Sequence, residues 1–110
     1  MDLLIVGDSH AKCRLPCGFD SDAIAKALDV PDRFRHARSG STARQWLDPA
    51  NTWLRDALAV MPDAEAVFIS LGGNDLFRDY VDGKVTREEA ERIAADVRDV
   101  VSRFGSKRVF

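Results

Sequence analysis

Cysteine and histidine are scarce in these 110 residues, two of each, and neither sign of charge is much in excess. The two cysteines, Cys13 and Cys17, cannot define a disulfide scaffold, and two ligands cannot close a zinc site, so they read as reduced thiols in a loop. Sixteen Lys+Arg stand against eighteen Asp+Glu, a net charge of −2. That balance carries no electrostatic footprint for nucleic acid or an anionic membrane, and neither is expected as a partner. No apolar run approaches the roughly 18 residues of a membrane-spanning helix. Asp2 follows Met1 where a signal peptide would carry a basic stretch, so the expectation is a cytoplasmic protein. Internal repeats, low-complexity tracts and Pro/Gly-rich linkers are also lacking, and residues 1–110 read as one unit. What is present is ordinary for a soluble globular chain: 45% hydrophobic and 31% charged residues.

Apolar periodicity then orders the chain. Leu3-Leu4-Ile5-Val6, ended by Gly7, has the unbroken apolar character of a strand buried on both faces of a parallel sheet. Ala11 to Asp20, with Pro16 and Gly18, reads as loop. Ser21 can cap a helix over Asp22 to Leu28, which Val30-Pro31-Asp32 breaks. Phe34 to Ala37 reads as a second, short strand, and Ser39-Gly40-Ser41-Thr42 as a turn into a brief helix around Arg44 to Leu47. Pro49 stands near the start of another helix, in which Trp53, Leu54, Ala57, Leu58 and Met61 recur at helical spacing until Pro62-Asp63. Ala66-Val67-Phe68-Ile69 is the next buried-strand run, followed by a turn at Gly72-Gly73-Asn74-Asp75. After a polar turn at Asp82-Gly83, Thr86 and Glu89 form a capping box. The helix they open carries Ala90, Ile93, Ala94, Val97, Val100, Val101 and Phe104 on one face and stops at Gly105. Lys107-Arg108-Val109-Phe110 reads as the beginning of one more strand.

Strands alternating with helices imply an α/β fold with a parallel sheet. Ligands in such sheets sit beyond the carboxyl ends of the strands. The residues there are Gly7-Asp8-Ser9, Ser39-Gly40-Ser41 and Gly72-Gly73-Asn74-Asp75. One hydroxyl, one glycine turn and one side-chain amide meet at the same sheet edge. A serine on a strand-to-helix turn can act as a nucleophile. The Gly40 N–H and the Asn74 amide could both point at a developing oxyanion. That constellation suggests acyl transfer.

Val6-Gly7-Asp8-Ser9 resembles the first block of the SGNH/GDSL hydrolases, Ser39-Gly40-Ser41 their second, and Gly72-Gly73-Asn74-Asp75 their third. The order of the blocks and their place after successive strands match as well, over Leu3 to about Asp75. The resemblance implies a flavodoxin-like three-layer α/β/α sheet of order 2-1-3-4-5. It implies Ser9 as nucleophile, with oxyanion donors from the Ser9 and Gly40 N–H groups and the Asn74 side chain. The implied activity is ester or acyl hydrolysis of the esterase, lipase or deacetylase type, on small-molecule or carbohydrate esters and without metal or cofactor. Gly7, Asp8, Gly72 and Asp75 are expected to support the turns, the aspartates by accepting from backbone N–H groups.

The sequence departs from the family at its fourth block, Asp-x-x-His, which supplies the base and the acid orienting it. The histidines present are His10 and His36. His10 adjoins Ser9, and neighbours on a tight turn point apart; His36 lies in or beside the second strand. The expectation is therefore the N-terminal portion of a longer hydrolase, with about three to four strands of the family's sheet. An intact chain of this length would instead have to cover an open sheet edge, for which a second copy would serve. The competing class is a non-catalytic α/β interaction module that lost its base. Nucleotide binding is set aside because no Gly-x-Gly-x-x-Gly or Walker pattern follows a strand. A receiver-like role for Asp8 lacks the acidic cluster and lysine it would need. Arg14, Arg38 and Arg44 read as solvated surface, with recognition of an anionic group as the alternative. Trp53 reads as core, while Trp46, Leu76, Phe77 and Tyr80 fit either a pocket wall or packing.

Overall fold

Leu3–Gly7, five residues without a polar side chain, form strand β1, and all five are buried. They can be buried because β1 has a neighbour on each side. Among the described residues the sheet has four strands in the order β2-β1-β3-β4, with β2 at Arg35–Ala37, β3 at Ala66–Ser70 and β4 at Arg108–Val109. Every pairing is parallel: Ile5 sits opposite Arg35, Leu3 opposite Ala66, and Ala66 opposite Arg108. The last ladder runs on into Phe110, whose N–H donates to Val67 O (2.9 Å). These features come from a computed structural model that describes residues 2–8, 27–76 and 86–110. The loop expected at 11–20, all but the end of the helix expected at 22–28, and the turn at Asp82-Gly83 lie outside the described residues, as do Cys13, Cys17, Arg14, Phe77 and Tyr80.

The short strand β2 begins one residue later than its apolar pattern suggests. Phe34 belongs instead to a 3-10 turn, Asp32–Phe34, and is fully buried. Arginine and histidine suit β2 because it is the edge of the sheet among the described residues, where charged residues discourage further pairing. Just upstream, Asp29 adopts φ +50°, a left-handed conformation that aspartate tolerates.

Helix α1 spans Ala43–Leu47 and opens on a capping box, with Thr42 accepting from Gln45 N–H and Gln45 accepting from Thr42 N–H. Helix α2 spans Trp53–Val60, so Pro49 stands four positions upstream and not in its first turn. The intervening chain is held by side chains: Asp48 accepts from Ala50 N–H (2.9 Å) and Asn51 from Trp53 N–H (3.1 Å). Helix α3, Arg87–Arg103, has Glu88 and Glu89 in its first turn and Arg103 in its last, each sign favourable to the helix dipole. Thr86 caps it by accepting from Glu89 N–H (3.1 Å), and the Glu89 carboxylate pairs with Arg92 (2.9 Å). Gly105 is not among the left-handed glycines, so the helix ends on a Phe104 N–H bond to Val101 O.

The connections β2→β3 and β3→β4 advance the same way along the sheet. Right-handed crossovers then place them on one face, in agreement with the packing of α1 against α3 and of α2 against β1. Between helices and sheet lie Leu4, Val6, Phe34, Trp46, Val67, Val100 and Phe104, none more than 1% exposed. Burying an aliphatic or phenylalanine side chain of this kind contributes about 1.5–3 kcal/mol. Among the described residues no helix is long and apolar enough to cross a membrane.

Candidate functional site

The carboxyl ends of β1, β2 and β3 lie side by side, and the chain turns sharply at each. At the first corner Gly7 has φ +140°, and a Cβ there would overlap the Ser70 carbonyl of the adjacent strand. Only glycine lets the two backbones approach so closely. Asp8 follows, 1% exposed; its N–H donates to Ser70 O (2.9 Å) and its Oδ1 accepts from Ser70 Oγ (3.1 Å). Asp8 thus ties the first corner to the end of β3. Ser9 and His10 lie outside the described residues.

The second corner is a turn from Arg38 to Ser41, closed by a Ser41 N–H bond to Arg38 O (3.1 Å). Its third residue, Gly40, has φ +74° and is exposed, and a Cβ there would meet nothing. Glycine is required here for its backbone conformation and not for space. The Arg38 N–H donates to Gly7 O (2.7 Å), joining this corner to the first.

Ser41 is 2% exposed and holds the centre of the arrangement. The Trp46 indole N–H, a donor only, bonds to Ser41 Oγ at 3.0 Å. The Ser41 hydroxyl proton is thereby directed to Gly7 O, 3.1 Å away. From the third corner, Asn74 Nδ2 donates to Ser41 O (3.0 Å). Asp75, 5% exposed, accepts from Ala43 N–H (3.0 Å), one of the unpaired donors at the start of α1.

The turn expected at Gly72-Gly73-Asn74-Asp75 is a bend at Gly72 (φ +103°) running directly into helical residues 73–76. A Cβ on Gly72 would lie 3.2 Å from Val97 Cγ2, so this glycine also lets α3 pack closely. Between this corner and α3 lies an apolar groove of about 450 Å³, lined by Leu71, Gly72, Leu76, Ala90, Ile93, Ala94, Val97 and Arg98. Leu76, 47% exposed, lines it without being packed into the core.

The structure therefore brings Gly7, Asp8, Gly40, Asn74 and Asp75 to one edge, joined by bonds between residues more than 30 positions apart. Asp75 accepts from a backbone N–H, as expected of it, and that N–H belongs to the start of α1. His36 does not join the cluster: its Nε2 lies 2.8 Å from Arg33 O, back toward the start of β2. Arg44 is paired with Asp96 (3.7 Å). The tryptophans differ in depth, Trp46 being fully buried and Trp53 half-buried against it with ring centroids 5.7 Å apart. Ser70 carries no signal in the sequence, and Ser41 and Trp46, named above, take their hydrogen-bonding roles from the tertiary structure. A local signal existed only near Ser41, in the capping pattern Thr42-Ala43-Arg44-Gln45.

Chemically, the edge offers amide donors beside the residue that precedes Ser9. The Asn74 amide carries two hydrogens, and one of them is committed to Ser41 O. Compared with protein-family models, curated proteins and solved structures, the chain matches none.

Proposed function

We propose that this chain carries the nucleophile and oxyanion half of an SGNH/GDSL-type serine ester hydrolase, built on a flavodoxin-like three-layer sheet. One observation carries this reading. Asn74 Nδ2 on Ser41 O, with Ser41 Oγ on Gly7 O, stitches the three motif-bearing corners together at the carboxyl edge of the sheet. The strand order β2-β1-β3-β4 supports it, being the order of the first four strands of that fold.

In this reading Ser9 Oγ attacks the acyl carbonyl of a small-molecule or carbohydrate ester. The oxyanion that forms is held by the Ser9 and Gly40 N–H groups and the second hydrogen of Asn74 Nδ2. The serine proton requires a base, and a serine without one is a slow nucleophile at neutral pH. Hydrolysis by this chain alone is then the residual rate that oxyanion stabilisation and binding provide.

The second reading, a non-catalytic interaction module, is favoured by His36, whose Nε2 is turned to the Arg33 carbonyl. Hydrolysis of 4-nitrophenyl acetate separates the two. The hydrolase reading expects turnover above the buffer rate that Ser9→Ala abolishes and Asn74→Ala lowers. Equal turnover by wild type and Ser9→Ala removes Ser9 as nucleophile, and no turnover by either leaves the interaction module as the better description.

A further inference from the structure

Arg38 has no part in the chemistry above, yet its surroundings differ from those of Arg44, Arg55 and Arg103. Its backbone joins the first two corners, donating to Gly7 O (2.7 Å) and accepting from Ser41 N–H (3.1 Å), two residues from Gly40. Its guanidinium carbon lies 5.8 Å from the centroid of the Trp53 ring. Helix α2 runs from the carboxyl edge of the sheet back toward the start of β3, so its first residue, Trp53, belongs to the same edge as Gly40 and Asn74.

Other arginines are committed to carboxylates: Arg44 to Asp96, Arg55 to Asp56, Arg103 to Asp99. Arg38 is exposed, and among the described residues no carboxylate pairs with it. The N–H donors of a guanidinium lie in its own plane, so an attraction to a ring face uses its charge and consumes none of them. A planar donor fork held over an aromatic ring suits a carboxylate, which takes two parallel bonds.

Resting on the hydrolase reading, we propose that Arg38 selects esters that bear a carboxylate, and that Trp53 holds the guanidinium in place for it. The net charge of −2 provides no general attraction for an anion, so the selection is local to this residue.

Nuclear magnetic resonance titration tests this without turnover, using amides in place of esters. The charged probes are 3-acetamidobenzoate, with its carboxylate on the leaving-group side, and adipic acid monoanilide, with its carboxylate on the acyl side. Acetanilide and hexananilide are their uncharged counterparts. The expected result is saturable shifts at the Gly40 N–H and the Trp53 indole N–H, with the charged member of at least one pair binding about tenfold more tightly. Arg38→Gln should erase that ratio and Arg38→Lys should retain part of it, and the pair that shows it identifies the side of the ester. Equal affinities within both pairs, no saturable shift from any compound, or a ratio that survives Arg38→Gln overturns the assignment. Ser9-dependent hydrolysis of 4-nitrophenyl acetate is read separately, so loss of the Arg38 assignment leaves the hydrolase reading standing, and the reverse also holds.

Discussion

The carboxyl edge of the sheet and the apolar face of α3 are held by opposite means. At the edge, directional bonds link single atoms: Trp46 Nε1 to Ser41 Oγ, Ser41 Oγ to Gly7 O, Asn74 Nδ2 to Ser41 O, Ala43 N to Asp75 Oδ1. Each partner is specific, and most of the atoms are shielded from water. Along α3 the contacts are apolar and graded. Val100 and Phe104 are fully buried, whereas Ala90 and Ala94, on the same stripe, are exposed beside the groove that Leu76 lines. A buried polar group deprived of its partner incurs its full desolvation cost, while an apolar contact weakens in proportion to area lost. The edge is therefore sensitive to the identity of a few atoms, and the helix face to volume and depth.

Three substitutions sharpen this contrast. Phe104→Ala opens a cavity under the C-terminal end of α3, one residue past its last turn, and should lower stability by about 3–5 kcal/mol in urea denaturation. A loss below about 1 kcal/mol would mean that the lower half of the helix is not what anchors it. Ser41→Ala removes few atoms but leaves the Trp46 indole N–H without its acceptor, and should cost about 1–3 kcal/mol. Faster hydrogen exchange at that indole should accompany the loss; unchanged stability and exchange would show that the corner is held by other bonds. Ala94→Ser, on the exposed half of the stripe, should stay within about 0.5 kcal/mol of wild type. A cost above about 1 kcal/mol there would reveal that this half of the face is covered in solution.

The readable parts of the fold are those whose signal is local. Leu3–Val6 and Ala66–Ile69 are apolar without interruption, and Ile93, Val100 and Phe104 recur at helical spacing, so β1, β3 and α3 follow from periodicity. The start of β2 was harder to place, because Phe34 is buried by a 3-10 turn as completely as a strand would bury it. Of the site, the three corners were legible as glycine-bearing turns after expected strands. The partners of Asp75 and Asp8 were not, since Ala43 and Ser70 stand 32 and 62 residues away and carry no pattern that announces the contact. Trp46 is the sharpest case. Its position after the Gly40 turn left it open between pocket wall and core, and only the neighbouring Ser41 hydroxyl explains how its N–H can be buried at 1% exposure.

The sequence by itself determined the kinds of element and their order, because strand and helix periodicity and the glycine requirement of a positive φ are properties of a few consecutive residues. It also determined which residues would follow each strand: Asp8 after β1, Gly40 after β2, Asn74 after β3. The tertiary structure alone decided that these residues meet, that Ser41 joins them, that His36 turns away and that Arg38 rests on Trp53. Those outcomes depend on parallel strand pairing and crossover packing, which bring distant residues within hydrogen-bond reach and leave no trace in local spacing.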